Sequence, residues 1–291
     1  MKGSPPVALD DDFLGQVHVY EKHRIGLPRM RPYFRELWRR REFAVELSRS
    51  TLRAQNFNTL FGQLWLVLNP LLLGAVYYVL VAIIRGNARG IDFLAHLLGG
   101  LFIFYFVSGS ILTGTNSVVG GGRLILNTSF PRILLPASAT LTAFLRFLPT
   151  LPIYAAVHIA AGLPFSWAML WVPVLLLLYA LFAHGVAAFF ATLQVYFRDT
   201  ANFLPYLTRI WLYLSPILWT LDDVSGVGVQ IKQFLVLNPL YPMLGAWQDI
   251  MEHGDAPRLS FLLGTLAWAV GATVVGGLFF MSREREFAVR L

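Results

Sequence analysis

Apolar runs of about 20 residues or more, separated by short polar stretches, dominate this chain of 291 residues. An α-helix needs about 20 residues to cross a hydrocarbon core of about 30 Å. Buried helices of a soluble domain would account for one or two such runs, but six are present. The pattern therefore predicts an all-α integral membrane protein with six transmembrane helices. The expected spans are residues 65–84, 93–118, 137–161, 167–190, 203–221 and 260–281.

The composition agrees with a chain solvated by lipid. Hydrophobic residues make up 56% of it and charged residues 13%, about half the charged fraction of soluble domains. The mean hydropathy is +0.60. Because the chain has no cysteine, disulfide frameworks, thiolate nucleophiles and cysteine metal sites are excluded.

Basic residues indicate the orientation in the membrane. Of the 23 Lys and Arg residues, 17 lie on the side that holds both termini and four lie on the other side. Cytoplasmic segments carry the excess of Lys and Arg, so we expect both termini in the cytoplasm. The sequence therefore predicts a multi-pass protein of the plasma (inner) membrane. The net charge of +7 is interpreted as a topology signal and not as a nucleic-acid site.

The N-terminal region divides into two parts. Residues 1–32 are rich in Pro and charge without a hydrophobic period, which predicts a mobile cytoplasmic arm. Residues 33–56 place apolar side chains on one helical face, interrupted by Arg41. We expect an amphipathic helix in the inner membrane interface, and an ordinary soluble amphipathic helix is the alternative. The six-span domain then occupies residues 57–291.

Two short segments on the cytoplasmic side are candidates for contact with a partner. The first follows the second span and is more apolar than a solvated loop, so a short helix docked in a partner's groove is expected. Its candidate residues are Arg123, Leu124, Phe130, Pro131, Arg132 and Ile133. The second is the turn after the fourth span, with Arg198 and Asp199. Asp199 either caps the fifth helix or contacts a cytoplasmic partner.

The outer segment, residues 222–259, contains two apolar stretches that are too short to span a membrane. A pair of half-helices that re-enter the outer leaflet fits this pattern, with a turn at Asn238 and Pro239. A folded loop on the outer surface is the alternative.

Charged groups inside the spans are few. No Asp or Glu lies in any predicted span, whereas carriers driven by protons or sodium usually need such carboxylates. The chain also lacks a phosphate-binding loop with a lysine, so ATP would need a separate subunit. Arg146 and Arg209 lie in the inner halves of the third and fifth spans. Each either reaches back to lipid phosphates or binds an anionic substrate group.

Four motifs give the chain a family resemblance. They are "LFGQLWLVLNPLL", "RLILNTSFPRILLPAS", "VYFRDT" and "LNPLYPMLGAWQDI", in this order along the chain. From residue 33 to the C-terminus the sequence resembles the membrane subunits of type-2 ABC exporters, above all the Wzm-type polysaccharide export permeases. These pair with a Wzt ATPase and export O-antigen, teichoic acid or galactan.

The resemblance implies a mechanism and partners. The segment from Arg123 to Arg132 would be the coupling helix that enters the ATPase, and the outer half-helices would form a gate. Two copies of the chain and two Wzt-like ATPase subunits would assemble, with ATP and Mg on the ATPase and no cofactor in this chain. The cargo would be a polyprenyl-diphosphate-linked polysaccharide, met by Arg146 or Arg209. The implied gate residues are Asn238, Pro239, Tyr241 and Trp247.

Two other functions fit the sequence less well. A drug or lipid exporter of the same superfamily would share the architecture. A membrane-embedded transferase or hydrolase would need clustered acids, a metal site or a nucleophile with its base. The only adjacent acidic pair outside residues 1–32 is Asp222 and Asp223, with no histidine nearby in sequence. We therefore expect a permease and not an enzyme.

Overall fold

The computed structural model describes residues 26–55, 64–85, 90–220, 223, 235 and 237–291, and regular structure within them is helical. Most of the expected N-terminal arm and the first short outer stretch lie outside these residues. The helices are α1 (Met30–Arg39), α2 (Arg41–Gln55), α3 (Trp65–Arg85), α4 (Ile91–Gly120), α5 (Gly122–Asn127), α6 (Leu134–Phe147), α7 (Thr150–Ala160), α8 (Val172–Tyr196), α9 (Thr200–Leu214), α10 (Leu240–Met251), α11 (Leu259–Arg283) and α12 (Phe287–Arg290).

Five helical segments in the described part are long and apolar enough to cross a membrane. They are Val67–Ile84, Ile91–Gly120, Leu134–Ala160, Trp167–Tyr196 and Leu259–Arg290. The third joins α6 to α7 across a break at Pro149, and the fourth begins with a 3-10 turn before α8. The prediction of an all-helical, multi-pass membrane protein is thus confirmed, and five of the six expected spans have a matching helix.

The bundle has two ends, which we call basal and distal. The basal end holds α1, α5 and α12 together with the junction of α8 and α9, as shown by the contact of Gly122 with Leu291 and by the contacts of α12 with α5 and α8. The distal end holds α10, the start of α4 and the loop before α8. There His96 pairs with Glu252, and Pro164 lies against Gly254.

The fifth expected span, residues 203–221, differs from the prediction. Its helix, α9, has 15 residues and ends at Leu214. Ser215 then adopts an extended conformation, as expected of a residue before proline, here Pro216. Residues 200–219 still connect the two ends, because α9 begins beside Tyr196 and Trp219 lies against His96 at the distal end. The apolar run continues past the helix, and only the proline marks where the helix stops.

The expected N-terminal helix is also divided. A turn at Arg40 separates α1 from α2. On α1, Phe34 and Trp38 are exposed, whereas α2 packs along α6, where Thr142 donates a hydrogen bond to Ser48 at 3.0 Å. The apolar face of this region is therefore shared between an exposed helix and a packed one.

The core of the bundle is α4, which packs against α3, α6, α7, α8 and α9. Helices in lipid gain little from hydrophobic burial against one another, so close packing through small residues holds them together. The clearest case joins α8 to α11. A Cβ atom on Gly276 would overlap the backbone of Gly185.

This close approach yields a matched pair of variants. Gly276→Val should destabilise the protein by about 2 kcal/mol or more, because the backbone of α8 must move aside. Gly277→Val is the control, since a Cβ there meets nothing within 4 Å. Both substitutions change the helix propensity of α11 by the same amount. Thermal unfolding of both purified variants in detergent would measure the difference, and equal midpoints would contradict this packing.

Candidate functional site

The predicted coupling segment is mostly covered by its own chain. Ile125 and Ile133 are buried in a basal cluster with Phe287, and Pro131 is also buried. Phe130 is half-buried, with its ring 4.8 Å from that of Phe43. The apolar character of this segment is therefore explained largely by intramolecular packing, which the sequence pattern could not distinguish from contact with a partner.

The exposed part of this segment is smaller than the docking surface predicted from the sequence. Arg123 is exposed and Leu126 is 63% exposed, whereas Leu124 is half-buried. Leu126 lies inside the predicted coupling segment but was not one of its six candidate residues, because exposure within a six-residue helix cannot be read from one apolar run.

A polar clamp anchors the same segment to both terminal regions. The Tyr33 hydroxyl on α1 donates to the Glu284 carboxylate at 2.8 Å, and the Arg132 guanidinium donates to the Glu284 carbonyl. Burial, then the Glu284 carboxylate, raises the pKa of Tyr33, so this hydroxyl remains a donor. Burial lowers the pKa of Arg132, but an arginine keeps its charge from so high a starting value. The sequence singled out Arg132 but neither Glu284, which accepts its hydrogen bond, nor Tyr33, which bonds to the same glutamate.

The turn after α8 presents three exposed residues, Phe197, Arg198 and Asp199. Asp199 occupies the N-cap position of α9, but its side chain makes no capping hydrogen bond. Instead, the Gln194 side-chain oxygen accepts from the Ala201 N–H at 2.8 Å. The capping role considered for Asp199 is therefore wrong, because a buried glutamine from the preceding helix already satisfies that donor.

Together these elements form a single exposed patch at the basal end. Arg198 donates to the Arg290 carbonyl at 3.4 Å, which links the turn to α12, and α12 contacts α5. Leu126, Phe197 and Val289 are 63%, 66% and 79% exposed. We define the basal surface as Arg123, Leu126, Phe197, Arg198, Asp199 and Val289. Exposed apolar side chains rimmed by charge are typical of a protein–protein contact.

Arg146 lies on α6, twelve residues after Leu134, or about 18 Å at helical rise. It lines a cavity of about 220 Å³ between α3, α4 and α6, shared with Asn69 and Thr113. Its Nε atom is buried and has no hydrogen-bond partner among the described residues. An unpaired guanidinium at such depth is costly, so an anion or water in the cavity would stabilise it.

Arg209 lies elsewhere, on the exposed face of α9. It is close enough to Tyr77 of α3 to interact electrostatically, and Tyr77 lies beside Tyr213. Arg209 does not line the Arg146 cavity. The structure therefore places the two arginines in different surroundings, one in a recess and one beside tyrosines on an open surface.

At the distal end, the expected gate residues have structural partners. The Asn238 side-chain oxygen accepts from Trp211 at 2.7 Å and from the Leu240 N–H at 3.0 Å. Pro239 precedes α10, whose residues are almost all buried. Trp247 packs on Tyr154 with ring centroids 5.5 Å apart. Tyr241 is half-buried, edge-on to Phe261 at 5.8 Å.

In the irregular segment after α9, side chains bond to carbonyl groups that lack a helical partner. Asn238 donates to the Leu214 carbonyl at 3.1 Å, Gln248 donates to that of Pro216 at 3.3 Å, and a ring nitrogen of His96 lies 3.3 Å from that of Trp219. The other ring nitrogen of His96 is 2.9 Å from Glu252. Within the described residues, no group of three or more His, Asp or Glu side chains could hold a metal ion.

Known proteins resemble this chain over most of its length. Two proteins of Klebsiella pneumoniae, each named O-antigen export system permease protein RfbA, are 26% identical over 250 residues, which is 85% of this chain and 94% of theirs. The protein of the same name from Myxococcus xanthus is 27% identical over 255 residues, 87% of this chain and 97% of its own. The resemblance to ABC export permeases is confirmed. The relatives are permease subunits, so the expectation of a permease and not an enzyme is confirmed as well. No protein-family model matches the chain.

The hydrogen bonds of the turn after α8 predict different effects on stability for substitutions of Gln194 and Asp199. Gln194→Ala should destabilise the protein by about 1 kcal/mol, because the half-buried Ala201 N–H loses its acceptor. Asp199→Ala should change stability by less than about 0.5 kcal/mol, as is usual for an exposed side chain. The two midpoints of thermal unfolding would decide, and a larger effect of Asp199→Ala would restore the capping role.

Proposed function

We propose that this chain is the membrane subunit of an ATP-driven exporter that carries a polysaccharide across the plasma membrane to its outer face. The observation that carries the proposal is the similarity to O-antigen export permeases over 94–97% of their length. A match of that extent involves the whole permease and not one shared segment.

The basal end is the cytoplasmic end in this proposal. It holds Arg123, Arg132 and Arg198, and the C-terminal region adds Arg283, Arg285 and Arg290. The excess of Lys and Arg on the cytoplasmic side of membrane proteins supports this orientation, with both termini inside. Residues 200–219 then supply the sixth crossing, as a short helix followed by an irregular segment.

The basal surface of each permease copy is the proposed docking site for one Wzt-like ATPase. The two ATPase subunits of the assembled exporter would hold ATP and Mg. Coupling requires a surface that is exposed on the isolated permease and rigidly connected to the spans. The clamp of Tyr33, Arg132 and Glu284 supports such a connection, because it ties the coupling segment to α1 and to the end of α11.

The proposed cargo is a polyprenyl-diphosphate-linked polysaccharide of the O-antigen or galactan type. Arg146 supports a site for the diphosphate, because the planar guanidinium fork donates two hydrogen bonds to phosphate oxygens. Two copies of the chain would line the path for the sugars. Tyr77 and Tyr213 beside Arg209 offer both hydrogen bonds and aromatic faces for sugar rings on one exposed side of the bundle.

The docking proposal is tested at Leu126. Leu126→Asp should leave the fold intact, because the side chain is 63% exposed, and should abolish copurification of the ATPase and ATP-dependent export. Ile133→Asp is the contrasting variant, since a charge at a side chain only 8% exposed should unfold the basal cluster itself. Normal ATPase binding and export by Leu126→Asp would refute this docking site.

The head-group proposal is tested at Arg146. Arg146→Gln should weaken the stimulation of ATPase activity by lipid-linked substrate about 10-fold or more, the loss expected for a charge-assisted hydrogen bond of about 1.5–3 kcal/mol. Arg146→Lys should recover only part of it, because an ammonium lacks the planar fork.

Arg209→Gln is the comparison for this experiment, since Arg209 lies outside the cavity. Both variants would be measured in the reconstituted complex at equal protein amounts. Unchanged stimulation in Arg146→Gln would leave contact with lipid phosphates as the better account of this arginine.

A further inference from the structure

A second and larger recess lies between α8, α9, α10 and α11, away from the Arg146 cavity. Its volume is about 1100 Å³. Small residues such as Gly185, Gly264 and Gly271 alternate along its walls with bulky aromatic ones such as Phe189 and Trp268. No Asp, Glu, Lys or Arg is among its lining residues.

The recess is a long groove that opens towards the side of the bundle. Along α11 it runs from Ser260 to Gly276, about 24 Å at helical rise and most of the depth of a hydrocarbon core. Three of its lining residues, Ile210, Leu214 and Val275, are 56%, 58% and 60% exposed. A membrane would place hydrocarbon and not water against this opening. Water gains little in such a space, because it needs polar partners.

The size of the groove suits a pair of lipid chains. An apolar cavity of about 150 Å³ holds one benzene molecule, so about 1100 Å³ holds on the order of 40 carbon atoms. That is the scale of both acyl chains of one phospholipid. A whole helix from a second copy fits less well, because a helix with its side chains is about 10 Å wide and 24 Å of it occupies about 1,900 Å³.

The Arg258 side chain lies at the distal mouth of the groove, in an ion pair with Asp249. The Arg258 guanidinium is 4.8 Å from the ring centroid of Phe261, which lines the groove. Arg258 is bonded to Asp249 at 2.8 Å, and its side chain remains 59% exposed. Its position beyond the apolar lining is where the phosphate of a lipid would lie if the acyl chains followed α11.

We propose that this groove binds one phospholipid from the distal leaflet. Its acyl chains would lie along α11 from Ser260 to Gly276, and its phosphate would lie beside Arg258. The site shares no lining residue with the Arg146 cavity. The bound lipid would fill space between α9 and α11 that no described side chain fills.

Gly271 provides the test, because a Cβ atom there meets nothing within 4 Å although the residue lines the groove. The chain has no cysteine, so Gly271→Cys can be labelled with a bulky maleimide after folding. Native mass spectrometry of the detergent-purified protein should show a retained phospholipid before labelling and its loss afterwards. The matched control is Gly120→Cys, whose position is also exposed and open but lies outside the groove. It should keep the lipid with the label attached.

Three results would overturn the proposal. One is retention of phospholipid by labelled Gly271→Cys equal to that of the labelled control. Another is an isoprenoid lipid, and no phospholipid, retained in the unlabelled protein. The third is a disulfide between two copies of Gly271→Cys formed under mild oxidation in membranes, which would assign the groove to a second copy. Gly271→Leu, which needs no label, repeats the first comparison against Gly120→Leu.

Discussion

The absence of water within a hydrocarbon core is the constraint on which this structure depends. Backbone N–H and C=O groups in lipid must be bonded within the protein, so a chain this apolar folds as helices. The segment after α9 is the informative exception. It leaves the helix at Ser215, and side chains of Asn238, Gln248 and His96 serve three of its carbonyl groups. Irregular backbone is thus tolerated where neighbouring elements supply the partners.

Much of the architecture could be predicted from the length of the apolar runs. Five expected spans have a matching helix because length and hydropathy are properties of the segment itself. The end of α9 could not be read that way, since residues 203–221 stay apolar beyond Leu214 and only Pro216 interrupts the helix. The partners of the carbonyl groups after α9 come from residues far along the chain, such as Asn238 and His96, and no local pattern connects them.

In the candidate site, still more depends on contacts between residues that are far apart in the sequence. Sequence reasoning selected Phe130 and Ile133 because they are apolar in a short loop, but Phe43 and the basal cluster with Phe287 cover them. Whether an apolar side chain meets its own chain or a partner depends on tertiary packing. Leu126 stood out from the other residues of the predicted coupling segment only by its exposure. Arg146 was found from sequence because an arginine inside an apolar run is conspicuous regardless of its neighbours.

We propose that this permease moves a polysaccharide outward using ATP hydrolysed by a partner at the basal end. The most direct measurement uses inside-out membrane vesicles that contain the permease and its ATPase, with lipid-linked polysaccharide supplied on the basal side. With the wild-type permease, ATP should make the polymer inaccessible to an added glycosidase. With Leu126→Asp, the polymer should stay accessible. Polymer that stays accessible while the wild-type complex hydrolyses ATP would contradict ATP-driven outward transport.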